Sequence, residues 1–151
     1  MGRARVLLAD DHLETLRCWH SLLEPEFEIV GSVGDGWALV EAYSRLEPDV
    51  VVTDVTMPGL AGLAAAATIR QRYPAARIVF ATVHADRAIL RRGLATGAYG
   101  YVLKFRAGED LGPAVRAAVR GEIHISPFPP LHIAPDENPR DPRPVNPRRD
   151  P

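Results

Sequence analysis

Five polar or charged side chains lie at the ends of short, mainly apolar runs of the sequence: Asp10, Asp11, Asp54, Thr82 and Lys104. The run before Asp54, Val50–Thr53, contains three consecutive valines without polar alternation, which is typical of a strand buried on both faces of a parallel sheet. Met57-Pro58-Gly59 then turns the chain away. Because open α/β sheets carry their chemistry at the carboxyl ends of their strands, we predict that Asp54 is the functional centre.

These residue types suit phosphoryl transfer. Clustered carboxylates repel one another unless a cation lies between them, and Mg²⁺ is the hard, oxygen-binding cation that fits such a group. With the metal bound, a carboxylate oxygen of Asp54 can act as a nucleophile toward phosphorus. The metal and the ammonium of Lys104 would offset the charge of the phosphoryl oxygens, and Thr82 would donate a hydrogen bond to one of them.

Alternating strand and helix patterns must position these residues. The predicted strands are Arg5–Ala9, Phe27–Val33, Val50–Thr53, Arg77–Ala81 and Gly100–Leu103. The predicted helices are Leu13–Leu23, Gly36–Leu46, Leu63–Tyr73, 86–96 and Glu109–Arg120. Asp35 and Asp86 are predicted N-caps, and Pro113 is placed in the first turn of the last helix, where proline is tolerated. The alternation predicts a flavodoxin-like α/β fold, a three-layer (βα)5 sandwich with a parallel five-stranded sheet in the order 2-1-3-4-5.

Composition excludes several classes of protein. The chain has 151 residues, of which 46% are hydrophobic and 25% charged, as expected for one globular domain. A net charge of −1 gives no general reason to expect binding to nucleic acid or membranes. Its one cysteine, Cys18, excludes an internal disulfide, and its place in an apolar helical pattern predicts burial. The sequence lacks a signal peptide pattern and an apolar run near the ~20 residues of a membrane span, so the cytoplasm is the expected location.

The composition changes near the C-terminus. Nine of the 14 prolines lie between Pro127 and Pro151, among few apolar residues. Such a segment cannot bury enough apolar surface to offset its ordering entropy. We therefore expect residues 1–122 to form the folded domain and residues 123–151 to form a proline-rich tail that is disordered or polyproline-II-like.

The motifs together resemble the receiver domain of response regulators in two-component phosphorelay signalling. The resemblance covers roughly residues 4–122 and is carried by four stretches: Leu7-Leu8-Ala9-Asp10-Asp11-His12, Val52-Thr53-Asp54-Val55-Thr56-Met57-Pro58-Gly59, Thr82, and Gly97-Ala98-Tyr99-Gly100-Tyr101-Val102-Leu103-Lys104. Asp10-Asp11-His12 and residues 121–127 are most similar to receivers that precede a helix-turn-helix DNA-binding domain. That output domain is missing here, so no direct contact with nucleic acid is expected.

The resemblance implies a role for each site residue. Asp54 would be the phosphoacceptor, and Asp11, Asp54 and the backbone carbonyl of Thr56 would bind Mg²⁺. Asp10 would support the metal site and Lys104 would contact the phosphoryl group. The donor would be a histidine kinase or a phosphotransfer protein.

A conformational switch is also implied by the resemblance. Phosphorylation would draw Thr82 inward and let Tyr101 repack, which would alter the face formed by helix 4, strand 5 and helix 5. This face is predicted to carry five arginines, Arg87, Arg91, Arg92, Arg116 and Arg120, which suggests a homodimer or partner docking through it.

The sequence also bears on functions other than that of a phosphorylated receiver. A phosphatase with an aspartyl intermediate commonly needs a second Asp two residues after the nucleophile, and that position is Thr56. The chain is therefore not expected to be an enzyme, beyond its own phosphorylation and dephosphorylation. A phosphate-independent scaffold of receiver-like fold is one alternative, and a truncated transcriptional regulator lacking its DNA-binding domain is another.

Overall fold

A parallel sheet forms the centre of the molecule in the computed structural model, which describes residues 2–127. Its strands are β1 (Arg5–Ala9), β2 (Glu28–Val33), β3 (Val50–Thr53), β4 (Ile78–Thr82), β5 (Gly100–Leu103) and β6 (His124–Ile125). The order is β2-β1-β3-β4-β5-β6, and neighbouring strands pair in parallel. The predicted flavodoxin-like order 2-1-3-4-5 is confirmed, and a sixth strand extends it at the β5 edge.

Within the described residues, five α-helices connect the strands: α1 (Leu13–Leu23), α2 (Gly36–Leu46), α3 (Gly62–Arg72), α4 (Arg87–Ala95) and α5 (Ala107–Val119). The predicted caps are confirmed, since the Asp35 side chain accepts a hydrogen bond from the Ala38 amide and Asp86 accepts one from Ala88. The placement of Pro113 was wrong. A 3₁₀ turn over Lys104–Arg106 runs directly into α5, so the helix begins earlier than predicted and Pro113 lies in its interior.

The part of the chain that the structure describes has two hydrophobic cores, on opposite faces of the sheet. The first lies between the sheet and helices α2, α3 and α4, and includes Phe80 and Tyr101. The second lies between the sheet and helices α1 and α5, and includes Trp19 and Leu111. Gly93 lets α4 lie close to the first core, because a Cβ there would stand 3.2 Å from Phe80 and 3.3 Å from Tyr101. This contact accounts for a glycine that on propensity alone would weaken the helix.

The strand register brings the predicted site residues to one edge. Ala9 pairs with Thr53 across β1 and β3, so Asp10 and Asp54 follow at the same level. The Asp54 amide donates a hydrogen bond to the Ala9 carbonyl at 3.1 Å. Thr82 pairs with Leu103 across β4 and β5, which places Lys104 just beyond Thr82. The carboxyl edge of the sheet therefore collects these side chains.

The end of the folded unit lies later than predicted. Residues 123–126, which we assigned to the tail, include β6, whose residues pair with Gly100 and Tyr101. Ser126 is 2% exposed, and its amide donates to the Tyr101 carbonyl at 2.9 Å. A two-residue strand carries no periodic pattern, so only its position beside β5 reveals it. The predicted disorder of the tail from residue 128 onward lies outside the described residues.

Two further features of the sequence, its hydropathy and its cysteine, can be compared with the structure. Within residues 2–127, no helix combines the length and apolar character needed to cross a membrane. Cys18 is exposed, so the prediction that it is buried was wrong. It lies on the face of α1 that turns away from Leu16, Trp19 and Leu23, which are the buried residues of that helix.

Candidate functional site

One ammonium group joins two carboxylates at the carboxyl edge of the sheet. Nζ of Lys104 lies 2.8 Å from Oδ1 of Asp10 and 2.9 Å from Oδ2 of Asp54. Asp10 is fully buried, Asp54 is 5% exposed, and the Lys104 side chain is 15% exposed. The predicted convergence of these three residues is confirmed. We call Asp10, Asp54 and Lys104 the site cluster.

The orientation of Asp54 is fixed by its own neighbours. Its Oδ1 accepts a hydrogen bond from the Val55 amide at 2.6 Å, while Oδ2 faces Lys104. The Asp54 carbonyl accepts one from the Thr53 hydroxyl at 2.9 Å. The first residue of α3, Gly62, lies so close that a Cβ would stand 1.7 Å from the Asp54 carbonyl oxygen. Only glycine permits this approach, so Gly62 is a site-shaping residue that the sequence motifs did not identify.

The adjacent carboxylates of Asp10 and Asp11 are chemically suited to a hard cation. One ligand atom from each of Asp10, Asp11 and His12 lies within 4.8 Å of the others. Asp11 is exposed, and the Asp10 carboxylate also accepts a hydrogen bond from the His12 amide at 2.9 Å. Thr56 is exposed in the loop after Asp54. A donor set dominated by carboxylate oxygens fits Mg²⁺.

Thr82 and Tyr101 are linked through the backbone of a third residue. The His84 amide donates to Oγ1 of Thr82 at 3.3 Å, and the Tyr101 hydroxyl donates to the His84 carbonyl at 3.0 Å. Thr82 and Tyr101 are both fully buried. The two predicted switch residues therefore both contact the same loop between β4 and α4, although neither belongs to the site cluster.

Burial and charge shift the pKa values of two groups near the site. Burial alone lowers the pKa of the Lys104 ammonium, but the hydrogen bonds to Asp10 and Asp54 outweigh it and raise the pKa above its ordinary value. Burial raises the pKa of the Tyr101 phenol, and the negative charges of Asp54 and Asp86 raise it further. Lys104 is therefore charged and Tyr101 protonated near neutral pH, as their hydrogen bonds require.

An aromatic ring that the sequence motifs did not identify lies under the ammonium. Nζ of Lys104 is 5.7 Å from the centroid of the Trp19 ring, within the range of a cation–π interaction. Trp19 is 1% exposed. Its helical spacing predicted only that it packs in the core, because spacing carries no information on contacts with a distant strand.

A second buried carboxylate lies on the other side of the turn at Lys104–Arg106. Oδ2 of Asp110 accepts hydrogen bonds from Nε of Arg106 at 2.7 Å and from the Ser126 hydroxyl at 2.6 Å. The Ser126 hydroxyl accepts one from the Leu103 amide at 3.1 Å, and Nε2 of His124 lies 3.6 Å from Oδ1 of Asp110. We call Arg106, Asp110, His124 and Ser126 the clasp. It ties β6 to β5 and α5.

Comparison with known proteins identifies relatives over most of the chain. The family model described as the response regulator receiver domain matches residues 6–116. The transcriptional regulatory protein DegU of Brevibacillus brevis is 33% identical over 128 residues, which cover 83% of this chain and 54% of that protein. The chain therefore spans about half the length of this relative.

Solved structures agree with the fold and the family. A two-component response regulator of the LuxR family from Aurantimonas sp. SI85-9A1 superposes with a TM-score of 0.80 at 34% identity, covering 83% of this chain and 91% of that one. The isolated receiver of RcsB from Salmonella enterica serovar Typhimurium, solved in the presence of the phosphomimetic BeF3−, gives a TM-score of 0.77 at 30% identity. That match covers 83% of this chain and 94% of that one.

Proposed function

This chain belongs to the response regulator receiver family, and on that premise we propose that it is a phosphorylation-switched signalling module that accepts a phosphoryl group on Asp54. The donor is a histidine kinase or a phosphotransfer protein. An oxygen of Asp54 attacks phosphorus, the bond from phosphorus to the donor nitrogen breaks, and that nitrogen keeps the electron pair. The relative solved with a phosphomimetic supports this chemistry.

The bridge made by Lys104 is the observation that carries the proposal. Its ammonium holds Oδ2 of Asp54 at 2.9 Å, and the carboxylate lies at the end of a strand with 5% exposure. A buried carboxylate beside one ammonium is held in a fixed orientation toward an incoming phosphorus. The same ammonium can then pair with a phosphoryl oxygen, so its charge serves the reactant and the product.

Mg²⁺ is the cofactor we propose for this site. Asp11, Asp54 and the backbone carbonyl of Thr56 would hold it, and Asp10 would support it. When bound, the metal offsets the negative charge of the carboxylates and of the phosphoryl oxygens. The excess of carboxylates over cations among Asp10, Asp11, Asp54 and Lys104 supports this assignment.

The relay we propose runs through the loop at His84. A phosphoryl group would attract the Thr82 hydroxyl, which now accepts from the His84 amide. The His84 carbonyl also accepts a hydrogen bond from the Tyr101 hydroxyl, so a shift of this loop would change the position of the Tyr101 side chain on β5. The face formed by α4, β5 and α5 would then change, and a partner or a second copy of the chain would read it.

The arginines predicted for that face differ in their contacts. Arg116 pairs with Glu26 at 2.7 Å, and Arg120 pairs with Glu122 at 3.0 Å. Arg91 and Arg92 are exposed on α4. We therefore assign any homodimer or docking contact through this face to α4 rather than to the arginines of α5.

We propose that the chain is not an enzyme toward external substrates. Thr56 occupies the position where phosphatases with an aspartyl intermediate commonly carry a second Asp. Each molecule would accept one phosphoryl group and lose it to water. The absence of a membrane-spanning helix among the described residues is compatible with a cytoplasmic location, which we also propose.

Transfer from a small phosphodonor tests the function directly. Acetyl phosphate with Mg²⁺ should add one phosphoryl group per chain, measured by intact mass, and Asp54→Ala should abolish the addition. Asp49→Asn is the matched control, because Asp49 lies at the opposite end of the same strand and should leave labelling unchanged. Equal labelling of Asp54→Ala and wild type, or no Mg²⁺ dependence, would contradict the proposal. Steady release of phosphate in large excess over protein would instead indicate an enzyme.

A further inference from the structure

Lys104 is held from three sides, and the third side is aromatic. Two of its neighbours are the carboxylates of Asp10 and Asp54. The third is the ring of Trp19, whose centroid lies 5.7 Å from Nζ. Lys104 is also the only lysine among the 18 lysine and arginine residues of the chain. The chain thus uses arginine at every basic position except the one that faces this ring.

The ring face attracts the ammonium as well as enclosing it. An indole face carries negative electrostatic potential, and its attraction for a cation is strongest where water is excluded. Trp19 is 1% exposed and packs in the second core, so water cannot reach its buried face. A leucine in the same place would fill much of the volume without attracting the charge.

The Trp19 ring restricts the position of the Lys104 ammonium in a way that the two carboxylates alone do not. Lysine has a flexible four-carbon stem, and its ammonium can donate in several directions. A phosphoryl group on Asp54 would compete with Asp10 and Asp54 for the hydrogen bonds of Lys104. The ring does not accept these hydrogen bonds, so its attraction persists when the ammonium changes partner.

From this geometry we propose that Trp19 is a positioning residue for Lys104. Its indole face keeps the ammonium at the carboxyl edge of the sheet and directed at the oxygens around Asp54. Trp19 makes no contact with the phosphoryl group itself. Its effect on the reaction rests on the proposed function, whereas its contact with Lys104 does not.

The contact is tested by nuclear magnetic resonance without any phosphoryl transfer. Labelling the full chain with ¹³C-lysine gives a single Cε–Hε resonance, because the chain has one lysine. We expect the ring current of Trp19 to move this resonance upfield from its free-lysine position. Trp19→Leu should return it most of the way, and Phe27→Leu should not. Phe27 is the matched control, an aromatic residue of the same core and 5% exposed.

The effect on the reaction is tested with fluorinated tryptophans. The chain has two tryptophans, so Trp37→Phe leaves Trp19 as the only one. Successive fluorination weakens the attraction of the ring face for a cation while nearly preserving its shape. In the Trp37→Phe chain, the rate of Asp54 labelling at saturating acetyl phosphate and Mg²⁺ should fall stepwise with each added fluorine. A purely structural role would give a flat series.

Substitutions of Trp19 give the size of its effect on the labelling rate. Trp19→Leu should lower the saturating rate by about threefold to thirtyfold, the range from an exposed to a desolvated cation–π contact, with little change in the half-saturating acetyl phosphate concentration. Trp19→Phe and Phe27→Leu should stay within about twofold of wild type, since a cation–π contact is kept in the first and untouched in the second. If Trp19→Leu fails to fold, the fluorinated series decides.

The failures of the two proposals are distinguishable. A flat fluorinated series, or equal rates for Trp19→Leu and Phe27→Leu, would overturn the positioning role while labelling of Asp54 stands. A lysine resonance at its free-lysine position would overturn the contact. A wild-type chain that takes up no phosphoryl group would refute the proposed function, and the lysine resonance would still decide the contact.

Discussion

Two buried carboxylate clusters flank the turn at Lys104–Arg106, and they differ in charge balance. In the site cluster, one ammonium serves both Asp10 and Asp54. In the clasp, one carboxylate, Asp110, receives a guanidinium and a hydroxyl, with an imidazole nearby. The first cluster has more negative than positive charge, and the second has its charge matched. The excess negative charge of the site cluster favours the binding of a cation, whereas the matched charges of the clasp stabilise the fold.

The largest expected difference between the two clusters is in their response to a metal ion. Because Mg²⁺ binds only the folded site, it should raise the free energy of unfolding by about 3 kcal/mol at a hundredfold excess over its dissociation constant. Urea unfolding with and without Mg²⁺ measures this gain. The gain should vanish in an Asp11→Asn/Asp54→Asn double variant and persist in Asp110→Asn. Equal gains in both variants would place the metal elsewhere.

Truncating the clasp should cost stability without touching the chemistry. Asp110→Ala leaves the Arg106 guanidinium and the Ser126 hydroxyl without their acceptor, so it should lower the free energy of unfolding by about 1–3 kcal/mol. Denaturant titration measures the loss, and labelling of Asp54 should remain complete. Glu109→Gln is the matched control, because that exposed neighbour lies 3.8 Å from Arg106 and should have little effect. A large loss of labelling in Asp110→Ala would show that the two clusters are coupled.

The profile of stability against pH should have an acid limb that reports on the clasp and an alkaline limb that reports on the site cluster. Burial raises the pKa of Asp110, but the hydrogen bonds from Arg106 and Ser126 outweigh it and hold the pKa below its ordinary value. The stability from Asp110 is therefore present above about pH 4 and lost as pH falls through its folded pKa. The raised pKa of Lys104 acts oppositely, so its contribution is present below about pH 10 and lost as pH rises through its folded pKa.

Matched variants test this assignment by thermal unfolding across pH. Asp110→Asn should flatten the acid limb and leave the alkaline limb, and Lys104→Met should flatten the alkaline limb. Both variants flattening the same limb would contradict the separation of the clusters.

The smallest expected effect comes from relieving the charge excess. Asp11 is exposed and makes no ion pair with Lys104 among the described contacts. Asp11→Asn should therefore stabilise the metal-free chain by about 0.3 kcal/mol, through reduced repulsion near the surface. Calorimetry at low salt measures the shift, which should disappear at high salt. A loss of stability on this substitution would mean that the site cluster has no excess charge.

Sequence reasoning predicted much of the site but little of its support. The positions of Asp10, Asp54 and Lys104 followed from apolar runs that end in polar residues, because parallel strands bring their carboxyl ends to one edge. Strand β6 and the clasp were missed, since two residues give no periodicity and Ser126 looks like an ordinary loop residue. The glycine at position 62 carried no signal that another backbone lies against it.

The sequence by itself determined the order of the first five strands and the types of residue at their ends, because these depend on local pattern and chain connectivity. It also determined that the chain has one lysine and where that lysine follows a strand. Only the tertiary structure decided that Trp19 lies under Lys104 and that Ser126 reaches Asp110. Side-chain contacts of this kind form only when α1 and α5 pack on the sheet, and helical spacing states which face is buried without stating what it meets.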